Sequence, residues 1–125
     1  MSAESSQQSG RYLSMTPYRK ADLFGGVGVV TIYNLLGARH VAPFEAVLSC
    51  ALEAGGRVGA HVQQTAHELL IVSSGVGGAE VDGSPQQISA GSVVHIPHGR
   101  SLSLTNHSES EPLCYLLVKS TGGAP

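Results

Sequence analysis

GGRVGAHVQQTAHELLIVSSG at residues 55–75 and GSVVHIPHGRSLSLTN at residues 91–106 are the stretches that decide the fold of this chain. Both consist of short apolar runs bounded by glycines, a pattern that predicts strands separated by tight turns. Residues two apart in a strand face the same side. His61 and Gln63 are therefore expected to point together, and Glu68 can lie beside them if the strand that it begins pairs with theirs.

The remainder of the chain has the same character. Short runs rich in β-branched residues alternate with Gly, Pro, Asn and Ser, which favours an all-β barrel or sandwich. Asp82 and Gly83 form a dipeptide typical of the tight turn in a hairpin. Residues 44–54 contain good helix formers, but Gly55 and Gly56 end the run, and we interpret it as a strand.

Composition narrows the class of protein. A chain of 125 residues, with 42% apolar and only 13% charged residues, has room for one core and is typical of a β-rich domain. A net charge of −2 without a cluster of Lys or Arg argues against a nucleic-acid partner. No run reaches the roughly 18 apolar residues of a membrane span, so we expect no membrane partner. The N-terminus lacks the pattern of a secretory signal, and Cys50 and Cys114 lie in apolar runs as reduced thiols would, so we expect a cytoplasmic protein.

In this order and at this separation, the two stretches resemble the paired motifs of the cupin superfamily. The first motif, G-x5-H-x-H-x3,4-E-x6-G, is matched except at its second histidine, where Gln63 stands; the matching residues are Gly55, His61, Glu68 and Gly75. The second motif, G-x5-P-x-G-x2-H-x3-N, is matched except at its histidine, where Leu102 stands; the matching residues are Gly91, Pro97, Gly99 and Asn106. The resemblance covers residues 44–118 and implies a small single-domain cupin, an antiparallel double-stranded β-helix that forms a jelly-roll barrel.

The chain is expected to divide into a partly disordered N-terminal segment at residues 1–19, a barrel at residues 20–118, and a loose tail at residues 119–125. Within the barrel, residues 27–36 form a long apolar run that would be an exposed edge strand if it stayed unpaired. Small cupins commonly cover such a segment with a second subunit, so the resemblance implies a homodimer.

A divalent metal ion is the cofactor that the resemblance implies, with His61, Gln63 and Glu68 as its ligands near the mouth of the barrel. An imidazole, a carboxamide oxygen and a carboxylate form a partial site for Fe, Mn, Ni or Zn. Gly59 is expected to leave space on the same face of the strand. Glu68 could instead stay clear of the metal and act as the catalytic general base, with its pKa raised by burial.

The second motif supplies an incomplete ligand set, because leucine cannot bind a metal. By strand parity Leu102, Leu104 and Asn106 should face the interior together, and the two leucines would line a substrate cavity. His98, in the turn after Pro97, is the first candidate for the missing ligand. His95 is expected to point inward below the site and to line the same cavity.

Two classes of function remain open at this point. One is a metal-dependent enzyme of the dioxygenase, isomerase or cyclase type that acts on a small molecule. The other is a metal-free binding or sensor protein whose apolar cavity holds a small-molecule ligand. The leucine at position 102 favours the second class, and the His61, Gln63 and Glu68 set favours the first. Of the two, we predict the first, a metal-binding cupin of unassigned chemistry.

Overall fold

Ten β-strands make up most of the computed structural model, which describes residues 15–63 and 67–120. In chain order they are β1 (Tyr18–Ala21), β2 (Val29–Asn34), β3 (Phe44–Leu52), β4 (Arg57–Val62), β5 (Glu68–Ser74), β6 (Val76–Val81), β7 (Ser84–Ser89), β8 (Val93–Ile96), β9 (Ser101–Asn106) and β10 (Leu113–Ser120). One 3-10 turn, Leu23–Gly25, lies between β1 and β2, and no α-helix occurs in the described ranges. The prediction of an all-β fold is confirmed, and β3 confirms the strand predicted at residues 44–54.

The strands form two antiparallel sheets. One has six strands in the order β1-β2-β3-β10-β5-β8, and the other has four in the order β4-β9-β6-β7. Their apolar faces enclose a single core, to which both sheets contribute; its most deeply buried members include Leu52, Leu70, Ile96, Leu102 and Leu113. This is the predicted cupin-like barrel in one domain.

Tight turns lie where the sequence predicts them. Asp82 and Gly83 join β6 to β7 with φ angles of 50° and 78°, the left-handed pair that a two-residue hairpin requires. Between β8 and β9, the N–H of Arg100 donates to the carbonyl of Pro97 at 3.0 Å, and Gly99 supplies the positive φ of 88°. The first turn fixes the register of the β6–β7 hairpin, and the second carries the chain from β8 in one sheet to β9 in the other.

A one-residue bulge in β4 decides which of its side chains face the interior. Val58 pairs with Leu104 and His61 with Leu102, so β4 advances three residues while β9 advances two. Val58 and His61 therefore lie on the same side although their spacing is odd. Simple strand parity does not predict that pairing.

The structure differs from two expectations, one about an edge strand and one about where the barrel begins and ends. Residues 27–36 do not form an edge, because β2 pairs with β1 on one side and with β3 on the other. The argument for a second subunit that rested on an unpaired strand there is wrong. The homodimer itself stays a prediction, and light scattering at micromolar concentration that gave a 12.9 kDa monomer would contradict it.

The sheet also extends two residues beyond each expected bound, since β1 begins at Tyr18 and β10 ends at Ser120. The disorder predicted at the N-terminus and the loose end of the tail concern residues 1–14 and 121–125, which lie outside the described residues. Within the described part, no helix is long and apolar enough to cross a membrane.

Candidate functional site

Three polar side chains meet at one end of the barrel interior. His61 comes from β4, Gln63 follows that strand directly, and Glu68 begins β5. Nε2 of Gln63 lies 3.2 Å from Nε2 of His61 and 3.3 Å from Oε1 of Glu68. Gln63 is 6% exposed and Glu68 only 1%, so the cluster lies in a largely dry environment. The structure thus brings together the three residues proposed as metal ligands, and their role as ligands stays a prediction. The expected pairing of their two strands is wrong, since β4 and β5 belong to different sheets and Glu68 reaches the cluster across the barrel interior.

The central amide acts as a donor. A carboxylate can only accept hydrogen bonds, so the group of Gln63 that faces Glu68 is its NH2, which can donate to Nε2 of His61 as well. An accepting Nε2 leaves the imidazole proton on Nδ1, 3.5 Å from the carbonyl oxygen of Gly59. Burial lowers the pKa of His61, Lys119 lowers it further, and the contact with the Gly59 backbone opposes both. The lowered pKa and these two contacts indicate that His61 is neutral and hydrogen-bonded to Gln63.

Glu68 has a second partner on the opposite side. Nζ of Lys119, on β10, lies 3.5 Å from Oε2 of Glu68, and the carboxylate side chain is fully buried. At that distance the contact is an ion pair rather than a well-formed hydrogen bond, and Oε2 has no hydrogen-bond donor among the described residues. Burial raises the pKa of Glu68, and the charge of Lys119 opposes that rise.

A cavity of about 220 Å³ lies between the two sheets beside this cluster. Most of its wall is apolar and comes from both sheets, including Val30, Ile32, Leu48, Val58, Leu102, Leu104 and Leu117. Six side chains add polar or ionisable groups to the wall: Tyr18, Lys20, Cys50, His61, Tyr115 and Lys119. The cavity thus combines an apolar body with a few polar groups, as small-molecule sites do.

The 3-10 turn before β2 covers part of this cavity. The ring of Phe24 stacks on His61, with centroids 4.1 Å apart and planes at 14°. Phe24 has φ 54° and ψ 38°, a left-handed conformation that is costly for a bulky residue and that must be held by its surroundings. The expectation that Gly59 leaves space is wrong: a Cβ there would overlap the carbonyl oxygen of Phe24, because the turn packs directly on β4.

Residues 48–119, more than half of the chain, match the family model of the cupin domain. The chain belongs to the cupin superfamily. Among curated proteins, no significant match to this cupin was found.

Solved structures of similar fold support the same assignment. A protein described as a predicted oxalate decarboxylase from Thermotoga maritima has 27% identity and a TM-score of 0.81, over 89% of this cupin and 96% of that chain. A Cupin 2 conserved barrel domain protein from Salinispora arenicola has 25% identity and a TM-score of 0.63, over 73% and 75% of the two chains. KdgF from a Halomonas species has 15% identity and a TM-score of 0.62, over 75% and 81%, and shows likeness of fold alone.

His95 does not line the interior cavity of this cupin, contrary to the expectation from the sequence. Strand β8 buries Val94 and Ile96, and the alternation of the strand therefore turns Val93 and His95 outward. On that outer surface, Nε2 of His95 lies 3.0 Å from Nδ1 of His67, and the two rings stack.

His98 is exposed in the turn between β8 and β9. The backbone of this turn lies beside the cluster, since the N–H of Gly99 donates to the carbonyl of Gln63 at 2.7 Å. The side chain of His98 as a substitute ligand stays a prediction. Asn106 has a structural position: its amide donates to the carbonyls of Leu52, Glu53 and Glu111 at 2.9–3.1 Å.

Sequence reasoning missed three residues of the site: Lys20, Phe24 and Lys119. A signal existed for Lys119, because it continues the inward alternation of Leu113, Tyr115 and Leu117 along β10. No local pattern marks Phe24, whose position depends on the turn packing against β4. Cys50 also lines the cavity, and burial raises its pKa to about 12, so its thiol stays protonated near neutral pH.

The donor set does not fit a resident divalent metal. No group of three or more His, Cys, Asp or Glu suited to a metal occurs within residues 15–63 and 67–120. The two strong donor atoms, Nε2 of His61 and Oε1 of Glu68, are both engaged by the NH2 group of Gln63. The ammonium of Lys119 adds a positive charge where a cation would have to bind.

Proposed function

We propose that this cupin binds a small molecule in its interior cavity and does so without a metal ion. The observation that carries the proposal is the position of the Gln63 amide, 3.2 Å from the imidazole of His61 and 3.3 Å from the carboxylate of Glu68. A metal would have to displace this amide or turn it around to present its weakly binding oxygen. The cavity of about 220 Å³ beside the cluster provides the binding volume.

Electrostatics support the same proposal. A cation bound by Glu68 would lie close to the ammonium of Lys119, which is 3.5 Å from Oε2 of that carboxylate. Like charges repel strongly where water is largely excluded, as it is around Glu68. The ion pair with Lys119 already provides the positive charge that a buried carboxylate needs.

Elemental analysis of protein purified without added metal tests this proposal. We expect well below one equivalent of Fe, Mn, Ni or Zn, and no binding of Mn²⁺ or Zn²⁺ at micromolar concentration in calorimetry. Gln63→His serves as the gain-of-binding control, because it replaces the amide with a second imidazole. One equivalent of metal that survives dialysis against a chelator would overturn the proposal.

A metal-dependent enzyme is the second candidate function. It is favoured by the convergence of His61 and Glu68, and by the 27% identical relative described as a predicted oxalate decarboxylase. In that case Glu68, whose pKa is raised by burial, is suited to exchange a proton with a substrate. Tightly held metal in the wild-type protein, lost in His61→Ala and increased in affinity in Gln63→His, would favour this candidate.

A further inference from the structure

Both lysines of this chain line the interior cavity, and their charge determines which ligands the cavity favours. The 125 residues contain only two lysines, Lys20 and Lys119, and both line the interior cavity. They come from different strands, β1 and β10, that are separated by β2 and β3 in the six-stranded sheet. The two lysines are therefore neither close in sequence nor on paired strands, yet both line the same cavity.

These lysines leave the cavity with a positive charge. Glu68 is the partner of Lys119, whereas Lys20 is exposed on β1 and makes no ion pair within the described ranges. Two ammonium groups and one carboxylate sum to a charge of +1, since His61 is neutral in its network. The remainder of the wall is mainly apolar and supplies no compensating anion. A ligand with a single negative charge would balance this arrangement.

We propose that the ligand is a compact monocarboxylate with an apolar body, its carboxylate held by Lys20 and Lys119; this inference rests on the proposed function. The body would lie against Ile32, Leu48 and Leu104, with Phe24 above it. A volume of about 220 Å³ is smaller than the roughly 300–1,000 Å³ of most ligand pockets, which sets the compact size. A dianion would exceed the available positive charge and meet repulsion from Glu68.

Isothermal titration calorimetry with three probes tests this inference, on the full chain in the presence of a chelator. Benzoate has the single negative charge and the apolar body, benzamide is its neutral isostere, and oxalate is a dianion without an apolar body. We expect benzoate to bind about tenfold more tightly than benzamide, because charge-assisted hydrogen bonds are roughly twice as strong as neutral ones. Oxalate is expected to bind more weakly than benzoate.

Matched variants assign the effect to the lysines. Lys20→Gln is expected to weaken benzoate binding about tenfold and to leave benzamide binding unchanged. Arg19→Gln removes the same charge from the adjacent position of β1, which does not line the cavity, and is expected to leave both affinities unchanged. Lys119→Gln is made together with Glu68→Gln so that no buried charge is left unpaired. This pair of changes keeps the cavity charge at +1 and removes one of the two proposed contacts, so it should weaken benzoate binding less than Lys20→Gln does.

Each outcome separates this inference from the proposed function. Equal affinity for benzoate and benzamide would overturn the carboxylate inference and leave the proposed binding function standing. Binding of benzoate only after Mn²⁺ or Zn²⁺ is added would overturn metal independence and keep the carboxylate. Failure of both aromatic probes to bind, or an equal effect of Arg19→Gln and Lys20→Gln, would overturn the inference about the lysines.

Discussion

His67 and Glu68 are neighbours in the chain, yet they belong to two clusters of very different character. Glu68 points into the barrel and meets Gln63 and Lys119, and its carboxylate is fully buried. His67 contacts the exposed His95 on the outside of the sheet, 3.0 Å away. Both clusters are built from side chains that can bind protons and metals. What separates them is exclusion of water, which shifts the pKa of Glu68 and His61 in opposite directions.

Two ion pairs among residues 15–63 and 67–120 make the same contrast. The exposed pair of Arg100 and Asp82 is short, at 2.8 Å, whereas the pair of Lys119 and Glu68 is longer, at 3.5 Å. Distance alone would rank the exposed pair as the stronger. Solvent screening and side-chain entropy reduce the contribution of an exposed pair, while a buried charge that loses its partner cannot be solvated. The longer contact should therefore matter more.

The largest effect is expected from Lys119→Met. Removing this ammonium leaves Glu68 buried without a counter-charge, and we expect the free energy of unfolding near neutral pH to fall by about 3 kcal/mol. Urea denaturation measures the change. Arg100→Met is the control and should have a much smaller effect, while adding Glu68→Gln to Lys119→Met should recover most of the loss. Equal losses of unfolding free energy in Lys119→Met and Arg100→Met would contradict the view that the buried ion pair contributes more than the exposed one.

The dependence of the free energy of unfolding on pH should distinguish the buried carboxyl of Glu68 from exposed carboxyls. Burial raises the pKa of Glu68 in the folded protein above its ordinary value of 4.5. The folded state keeps this proton at pH values where the unfolded state has lost it. The stability contributed by Glu68 is therefore full below that ordinary value and is lost as pH rises through the raised pKa.

Glu68→Gln has no such titration, so its stability relative to the wild-type protein should increase as pH rises from about 4 to about 7. His61 titrates in both proteins and largely cancels in the difference. Urea denaturation across the range provides the measurement, with the exposed Glu109→Gln as a control for the loss of a carboxyl. A difference that is independent of pH, or that runs the other way, would show that burial does not raise the pKa of Glu68 in the folded protein.

A smaller effect is expected at Phe24, which joins the surface to the interior cluster. Phe24→Ala and Phe24→Gly both remove the ring that stacks on His61, but only glycine adopts φ 54° without strain. We expect Phe24→Gly to be more stable than Phe24→Ala by about 1 kcal/mol. Proton NMR should show the pKa of His61 rising in both variants, because burial is what lowers it. An unchanged pKa would mean that the ring does not shield the imidazole.

The smallest effect is expected from His95→Ala on the outer surface. His95 is exposed, and we expect the free energy of unfolding to change by no more than about 0.5 kcal/mol. His61→Ala, measured in the same denaturation series, should cost more because Gln63 would lose a buried hydrogen-bond partner. A larger loss at His95 than at His61 would reverse the assignment of the two clusters.

Much of the fold was open to prediction because it depends on local chemistry. Positive φ at Gly75, Gly91 and Gly99, and at the Asp82 and Gly83 turn, requires residue types that the sequence displays directly. These turns bound the strands, and their spacing led to the cupin family. Within the first motif, the two-residue period of a strand placed His61 beside Gln63. The prediction for His95 was wrong because the sequence of β8 predicts a strand but does not show which of its two faces is buried.

The amino-acid sequence by itself determined the all-β barrel, its tight turns, and the placement of His61 beside Gln63, since each follows from residue type and short-range spacing. Glu68 meets them from the other sheet, because β4 and β5 do not pair. Only the tertiary structure decided what surrounds that meeting point. Lys119 reaches Glu68 across the pairing of β10 with β5, and Phe24 reaches His61 because the 3-10 turn packs on β4. Such contacts join residues 37 to 51 positions apart in the chain. They depend on which strands pair: the alternation along β10 indicates that Lys119 faces inward, but no local pattern of residues shows which side chain it meets there.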